Sequence, residues 1–293
     1  MEIRPIGPGS LVTLHRLFAA ALPLDSFSPL LLREKLFDNP RPATDTFAVT
    51  AAFDEDFLAG AMQSIVRPRD RRAWLGIFAT HENYRRKGVA AELFASLRDG
   101  WRRDAIREVE ALAYPGNYFT PGLDPRYTGA FCFLERFGFQ RFKECSNMIV
   151  DLSGPIETAK DDAEVRERGF ELRKLAAADA PLLDAFFARV FGADWRIEAG
   201  FAQVHAALKD ERVVAFAAHS GQNREWGWFG PMGTAPEAEG KGLGRALLRR
   251  CLSDLRAAGH KTAIIPWVGP VAFYARHAGA RIDRVFWRMK LLL

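Results

Sequence analysis

The chain has 293 residues, 48% of them hydrophobic and 26% charged, with a formal net charge of +5. That length suits two domains or one large one, and the mildly basic balance fits an anionic small ligand or nucleic acid, without a run of like charges that would form a binding tail. No apolar run is long enough to span a membrane, no secretory pattern opens the chain, and Cys132, Cys145 and Cys251 are too scattered for a metal cluster or a disulfide framework; the expectation is a cytoplasmic protein with three small buried thiols and no metal.

The first element is a strand at EIRPI (2–6), followed by a helix over LVTLHRLFAAAL (11–22). FAVTAAFDEDFLAGAMQSIV (47–66) reads as two strands joined at Asp54-Glu55-Asp56. RPRDRR (67–72) reads as a solvated loop. WLGIFAT (74–80) is a strand that leads into a turn where His81 and Glu82 are placed to cap. Val89, Leu93, Leu97 and Trp101 then recur at i, i+4 as the buried face of a helix. YPGNYFTPGLDPRYTG (114–129) is an aromatic insertion whose prolines and glycines fix turns; it either lines an acceptor pocket or packs against the other half. FLERFGF (133–139) is a short helix before a strand. SGPIETAKDDAEVRERG (153–169) is polar, lacks an apolar period and reads as a linker.

The second half starts again with a strand at ELRKL (171–175) and a helix over APLLDAFFARVF (180–191). RVVAFAAHS (212–220) and EWGWFGPMGT (225–234) are strands on either side of GQNR. A glycine turn, EGKGLG (239–244), opens a helix with Leu243, Leu247, Cys251 and Leu255 on one face. TAIIPWV (262–268) reads as a strand buried on both faces, and FYARHAG (273–279) as a short helix before the last strand.

The two halves repeat one another. WLGIFATHENYRRKGVAAEL (74–93) aligns without a gap on WFGPMGTAPEAEGKGLGRAL (228–247), at a constant spacing of 154. Trp74 meets Trp228, Gly76 meets Gly230, Lys87 meets Lys241 and Gly88 meets Gly242. The predicted fold class is therefore α+β: two copies of one unit, 1–152 and 170–293, each a mixed, mostly antiparallel sheet flanked by helices, with 153–169 between them.

A glycine turn before a helix is either a plain connection or a phosphate cradle. Glycine admits left-handed dihedrals and close approach of a ligand. The first N–H groups of a helix are unpaired, and the macrodipole adds partial positive charge. Lys241, and Arg85, Arg86 and Lys87 in the first copy, add full charges. Recurrence in both halves favours the cradle. The spacing matches neither a P-loop nor a dinucleotide fingerprint.

Arg85-x-x-Gly88-x-Ala90 resembles the pyrophosphate-binding signature R/Q-x-x-G-x-G/A of the GCN5-related N-acetyltransferases (GNAT). Glu239-x-x-Gly242-x-Gly244 keeps both small positions but has glutamate at the first. The layout resembles the tandem, mycothiol synthase-type double acetyltransferases over nearly the whole chain. The resemblance implies acetyl-coenzyme A (acetyl-CoA) as co-substrate. Its pyrophosphate would lie on Arg85, Arg86, Lys87, Gly88, Val89 and Ala90, or on Glu239, Gly240, Lys241, Gly242, Leu243 and Gly244. Its pantetheine would run as an added strand along Phe78, Ala79 and Thr80, or along Met232, Gly233 and Thr234.

A strand N–H would then polarise the thioester carbonyl, and the amine of a small molecule or peptide would attack it directly. The family often carries a tyrosine on the short helix as acid for the departing thiolate. Tyr274 stands there and Leu134 in the first copy, which favours the C-terminal copy as catalytic; Tyr274 reads equally as a packed helix residue. Where the family often has a glutamate base, this sequence has Phe78 and Met232. That leaves His219 and Glu225 as candidate bases or solvated surface residues, with a water relay as the other route. Trp267 stands where the family often has asparagine and, with Pro270, borders the expected pocket. Two other classes stay open: a non-catalytic coenzyme-binding or scaffolding protein, and an aminoacyl-transfer enzyme using charged tRNA. Nucleic acid is otherwise not expected, because no basic stripe interleaved with aromatics is present.

Overall fold

The computed structural model describes residues 1–200 and 203–293, and the chain divides into two compact units. Unit 1 comprises Met1–Cys145 and Phe286–Leu293; unit 2 comprises Ser146–Val285. This differs from the expected division at 152 and 170. Two long strands each pass from one unit into the other, and the expected linker is a folded part of unit 2.

Unit 1 is a sheet of β1 (Glu2–Ile6), β2 (Thr46–Asp54), β3 (Phe57–Arg67), β4 (Arg72–Thr80), β5 (Glu108–Ala111) and the far end of β12 (Arg281–Leu292), in that order. All these neighbours are antiparallel except β4 and β5, which are parallel. Around it lie α1 (Leu11–Ala21), α2 (Pro29–Leu36), α3 (Val89–Arg103) and α4 (Thr128–Arg136), and β6 (Gln140–Asp151) begins here. Strand β3 is buried almost throughout, as its run of small and apolar residues allows on both faces. Helix α3 buries Val89, Leu93, Phe94, Leu97 and Trp101, and the Trp101 indole donates to Ser64 Oγ at 2.8 Å.

The aromatic insertion packs into this unit: Tyr114, Tyr118, Phe119 and Leu123 are buried. The Tyr114 hydroxyl donates to Asp45 Oδ2 (2.6 Å), which also takes Arg67 Nη2 (2.7 Å). Burial pushes the Asp45 carboxyl up, but hydrogen bonds from Arg67, Tyr114 and Thr44 outweigh it and hold the group below its ordinary value. Within RPRDRR, residues 68–71 form the exposed turn expected, and only the two end residues are drawn into strands. Arg67 closes β3 in a half-buried ion pair and Arg72 opens β4. Cys145 and Cys251 are buried thiols, whereas Cys132 is exposed.

Unit 2 has a four-stranded antiparallel sheet of β7 (Glu171–Lys174), β8 (Val204–Lys209), β9 (Arg212–His219) and β10 (Phe229–Thr234), in the order β10-β9-β8-β7. Strand β11 (Thr262–Ile265) pairs with the end of β6, and a parallel bridge joins its Ile264 to Trp228, just before β10. The helices are α5 (Ala159–Glu167), α6 (Ala180–Val190), α7 (Ala193–Ala199), α8 (Leu243–Ala257) and α9 (Val271–Ala278). Helix α5 lies in the expected linker. It lacks an apolar stripe because ion pairs hold it instead: Asp161 meets Arg245 (2.8 Å) and Arg249 (2.9 Å), Glu164 meets Arg245 (2.6 Å) and Asp162 meets Arg250 (2.9 Å), with Val165 buried. Strand β11 alternates between exposed and buried positions, so it is not covered on both faces. It stops before Pro266, which has no N–H to extend a ladder. Among the described residues no helix is long and apolar enough to cross a membrane.

Candidate active site

The glycine turn has the same backbone in both units. A single 3-10 turn, Glu82–Tyr84 or Pro236–Ala238, leads to an extended residue, Arg85 (φ −64°) or Glu239 (φ −65°). A left-handed residue follows, Arg86 (+64°) or Gly240 (+71°). After the lysine, a second left-handed residue, Gly88 (+90°) or Gly242 (+81°), caps α3 or α8. Neither cap glycine offers a side chain to the first helical N–H groups, so those amides stay open. His81 accepts from the Asn83 N–H (3.3 Å), the capping role its position suggested.

Before each turn two parallel strands part. Strands β4 and β5 pair over Arg72–Leu75 and Glu108–Ala111, and the last bond runs from Leu112 N to Leu75 O at 2.7 Å. Beyond it β4 pairs only with β3. In unit 2 the last bond between β11 and the lead-in to β10 is Ile264 N to Gly227 O at 3.0 Å, and past Trp228 strand β10 pairs, among the described residues, only with β9. Phe78, Ala79 and Thr80, and Met232, Gly233 and Thr234, thus lie on open strand edges running into the turns. Both strands slip register at the aligned position, at Gly76–Ile77 and at Gly230–Pro231. Such bulges re-aim backbone groups.

The units differ at the bulge. In unit 1 the buried Gln63 fills it: Oε1 accepts the Ile77 N–H (3.4 Å) and Nε2 donates to Lys35 O (2.7 Å). A Cβ on Gly76 would stand 2.1 Å from that Oε1. In unit 2 the small Ala218 stands opposite, and nothing lies within 4 Å of a Cβ on Gly230. The turns differ in charge. Arg85, Arg86 and Lys87 are exposed and make no ion pair among the described residues. In unit 2, Lys241 Nζ donates to Glu237 O (2.9 Å), and Glu239 is exposed. Arg168, just past α5, donates to Lys241 O (2.7 Å), with Nη1 3.2 Å from where a Cβ on Gly242 would be. Arg168 brings to this turn a cation that the glutamate at 239 does not supply. Nothing in its local sequence marks it, because only the fold puts it there.

Val89 and Leu243 bury their side chains, so they present only backbone to the turn; Ala90 and Gly244 are half-buried beside them. A Cβ on Gly244 would touch Met232 Cε (3.2 Å) and Phe273 Cζ (3.4 Å), so β10, α8 and α9 converge there. The Phe78 and Phe133 rings, 5.8 Å apart, close the matching place in unit 1. Tyr274 on α9 is 7% exposed, edge-on to Phe229 and Phe273. Its hydroxyl makes no hydrogen bond to the described residues, and burial pushes the phenol up to about 12. The ring is core, and the hydroxyl is uncommitted among the described residues. Its counterpart Leu134 is fully buried.

His219 is not a solvated surface residue. It is 4% exposed, with Nδ1 3.1 Å from Ser220 Oγ, and burial lowers it to about 4. It lies four residues along β9 from Ala215, the partner of Thr234, roughly 13 Å away at strand rise. Glu225 is exposed on a 3-10 turn, Arg224–Trp226. The Trp267 backbone N–H donates to Asn147 Oδ1 at 3.0 Å.

The model of the acetyltransferase (GNAT) family matches this sequence twice, over residues 12–118 and 170–279. The chain belongs to the GNAT family. No curated protein matches the sequence. Solved structures share the fold of this tandem GNAT protein. The GCN5-related glucosamine N-acetyltransferase region of a fungal multi-domain GH3 β-N-acetylglucosaminidase has a TM-score of 0.79 at 16% identity; the match covers 99% of this chain and 38% of that one. A tandem GNAT protein from the clavulanic acid biosynthesis pathway has a TM-score of 0.74 at 15% identity, over 99% and 98% of the two chains. A GCN5-related N-acetyltransferase from Sphaerobacter thermophilus has 0.67 at 16%, over 99% and 95%.

Proposed function

We propose that this tandem GNAT protein moves an acetyl group from acetyl-CoA to the primary amine of a small molecule or peptide in the cytoplasm, with unit 2 as the catalytic copy. One observation carries the reading. The open edge of β10 runs into an α8 N-terminus capped by a left-handed glycine, and the uncommitted Tyr274 hydroxyl stands on the adjoining α9. The parts fit a coenzyme thioester: amides and a helix dipole for its diphosphate, an unpaired strand edge for its amide-bearing arm, and a protonated phenol for its sulfur.

In this scheme the Gly240–Gly244 backbone, with Lys241 and Arg168, binds the diphosphate. Met232–Thr234 orient the arm and position the carbonyl. The amine nitrogen forms the new C–N bond as the C–S bond breaks, Tyr274 gives its proton to the leaving sulfur, and water takes the proton from the amine. Unit 1 binds coenzyme through Arg85–Lys87 and Gly88 without turnover, because Leu134 has no proton to give and Gln63 fills the bulge.

The test is calorimetry of the full-length protein with acetyl-CoA, followed by thiol release across a panel of amines that includes amino sugars, the acceptor named for one structural neighbour. Binding and amine-dependent thiol release are expected. No binding at millimolar acetyl-CoA removes the proposal.

A further inference from the structure

Unit 2 holds a second cluster that the acetyl-transfer reading does not use. His205 on β8 and His219 on β9 lie on one face of the sheet, because His205 pairs with Ala217, two residues from His219. Their rings are nearly parallel, with centroids 6.5 Å apart. Helix α8 brings Asp254 over them from its last turn. Both Nε2 atoms face the same carboxylate oxygen, Asp254 Oδ2, at 2.9 Å and 3.4 Å. Lys174 Nζ reaches that oxygen too, at 2.7 Å. Asp254 is 12 residues along α8 from Gly242, about 18 Å at helical rise, so the cluster is remote from the phosphate cradle.

Hydrogen bonding accounts for the Lys174 and His205 contacts but poorly for the third, from His219. Three cationic or N–H groups crowd one oxygen, while Oδ1 takes none among the described residues. The His219 contact exceeds the ~3.2 Å limit of a good N–H···O bond. Coordination accounts for it better. Imidazole nitrogen and carboxylate oxygen bind zinc at about 2.0–2.2 Å, so tetrahedral neighbours stand roughly 3.3 Å apart. The two observed spacings bracket that value, and all three donor atoms lie within 4.8 Å of one another.

Ser220 Oγ beside His219 Nδ1 can take its N–H and so leave the Nε2 lone pair for a metal, the usual support of a ligating histidine. His205 Nδ1 is sealed from solvent without a partner, so this ligand lacks the outer hydrogen bond that His219 has. The histidines are 5% and 4% exposed, and the Asp254 side chain is 31% exposed, which leaves a way in and a fourth position for water.

We propose that His205, His219 and Asp254 form a mononuclear zinc site in unit 2, and that the Lys174 ammonium takes the cation's place when the metal is absent. An ion there ties β8 and β9 to the last turn of α8. The experiment titrates Zn2+ into chelator-stripped full-length protein against a chromophoric competitor, and records the visible spectrum after Co2+ loading. One equivalent per chain and a tetrahedral cobalt spectrum are expected. His219→Ala or Asp254→Ala weakens binding on the order of 100-fold. Lys174→Met tightens it about 10-fold, because the competing charge is gone. Cys132→Ser and His15→Ala leave it unchanged. Circular dichroism checks folding of the two ligand variants; should they not fold, the wild-type cobalt spectrum and Lys174→Met decide the question. Less than ~0.1 equivalent bound at 100 μM Zn2+, an octahedral aquo-like cobalt spectrum, or affinity unmoved by Lys174→Met overturns the site.

Discussion

Replacing Tyr274 by phenylalanine removes one oxygen and leaves the ring in place. The ring keeps its edge-on contacts with Phe229 and Phe273. The lost hydroxyl has no partner among the described residues, so no protein group is orphaned, and the stability cost is below ~1 kcal/mol. If that hydroxyl protonates the departing sulfur, its loss lowers kcat by about 10²- to 10⁴-fold, or roughly 2.7–5.5 kcal/mol of barrier. Binding of acetyl-CoA is nearly unchanged, because the proton moves only during reaction. The measurement is steady-state thiol release with the best amine of the panel, beside calorimetry and thermal unfolding of both proteins. Burial disfavours the phenolate, and the group sits at about 12. The acid form therefore persists through the assay range, and the wild-type profile shows no alkaline limb from Tyr274 below about pH 11. A kcat within threefold of wild type, with intact binding and folding, would sink the assignment.

Gly242→Ala places a methyl in a left-handed residue at a cost of about 1–2 kcal/mol, and acetyl-CoA affinity measured by calorimetry falls at least ~10-fold; equal affinity would argue against the second cradle. Gly76→Ala must expel the Gln63 carboxamide from the bulge, so the denaturant midpoint drops by the equivalent of about 1–3 kcal/mol; an unshifted midpoint contradicts the filling described for unit 1. Asp45→Asn leaves the half-buried Arg67 with only the exposed Asp70, 3.8 Å away, as counter-charge and costs on the order of 3 kcal/mol near neutral pH. The Asp45 carboxyl is held below its ordinary value, so its stabilisation is present above the unfolded-state pKa and fades as pH falls below about 4. Stability curves of the two proteins should converge in acid; a constant gap would refute that origin.

The turns were readable in sequence because their requirement is local. Two left-handed positions ahead of a helix favour glycine or a tolerant substitute, and the repeat shows both copies meeting it at one spacing. The repeated α+β fold was readable for the same reason. What escaped is what distant residues decide. Helix α5 looked like a linker because its hold on α8 is ionic, and the apolar period that betrays most helices is missing. Arg168 carries no signature of its own. Gln63 stands beside Ser64 in an otherwise largely apolar strand, and its role needed the bulge it fills. His219 looked like a turn residue at the end of its strand; only the position of Asp254 shows which way the ring faces. The passage of β6 and β12 between units is a choice of partner strand, on which local pattern is silent.

That passage bears on how the protein is made. The outer edge of β5, Glu108–Ala111, is covered by Met289–Leu292, and Glu110 and Glu108 take Arg288 and Lys290 from the same segment. While the ribosome is still adding the second half, the first half waits with a bare strand edge, its Glu108 and Glu110 held by Arg72 alone. A gene cut after residue 152 would yield a polypeptide that cannot finish its own sheet and is prone to pair with its neighbours. The duplication is legible as two copies, yet the first is completed only by the last strand of the second.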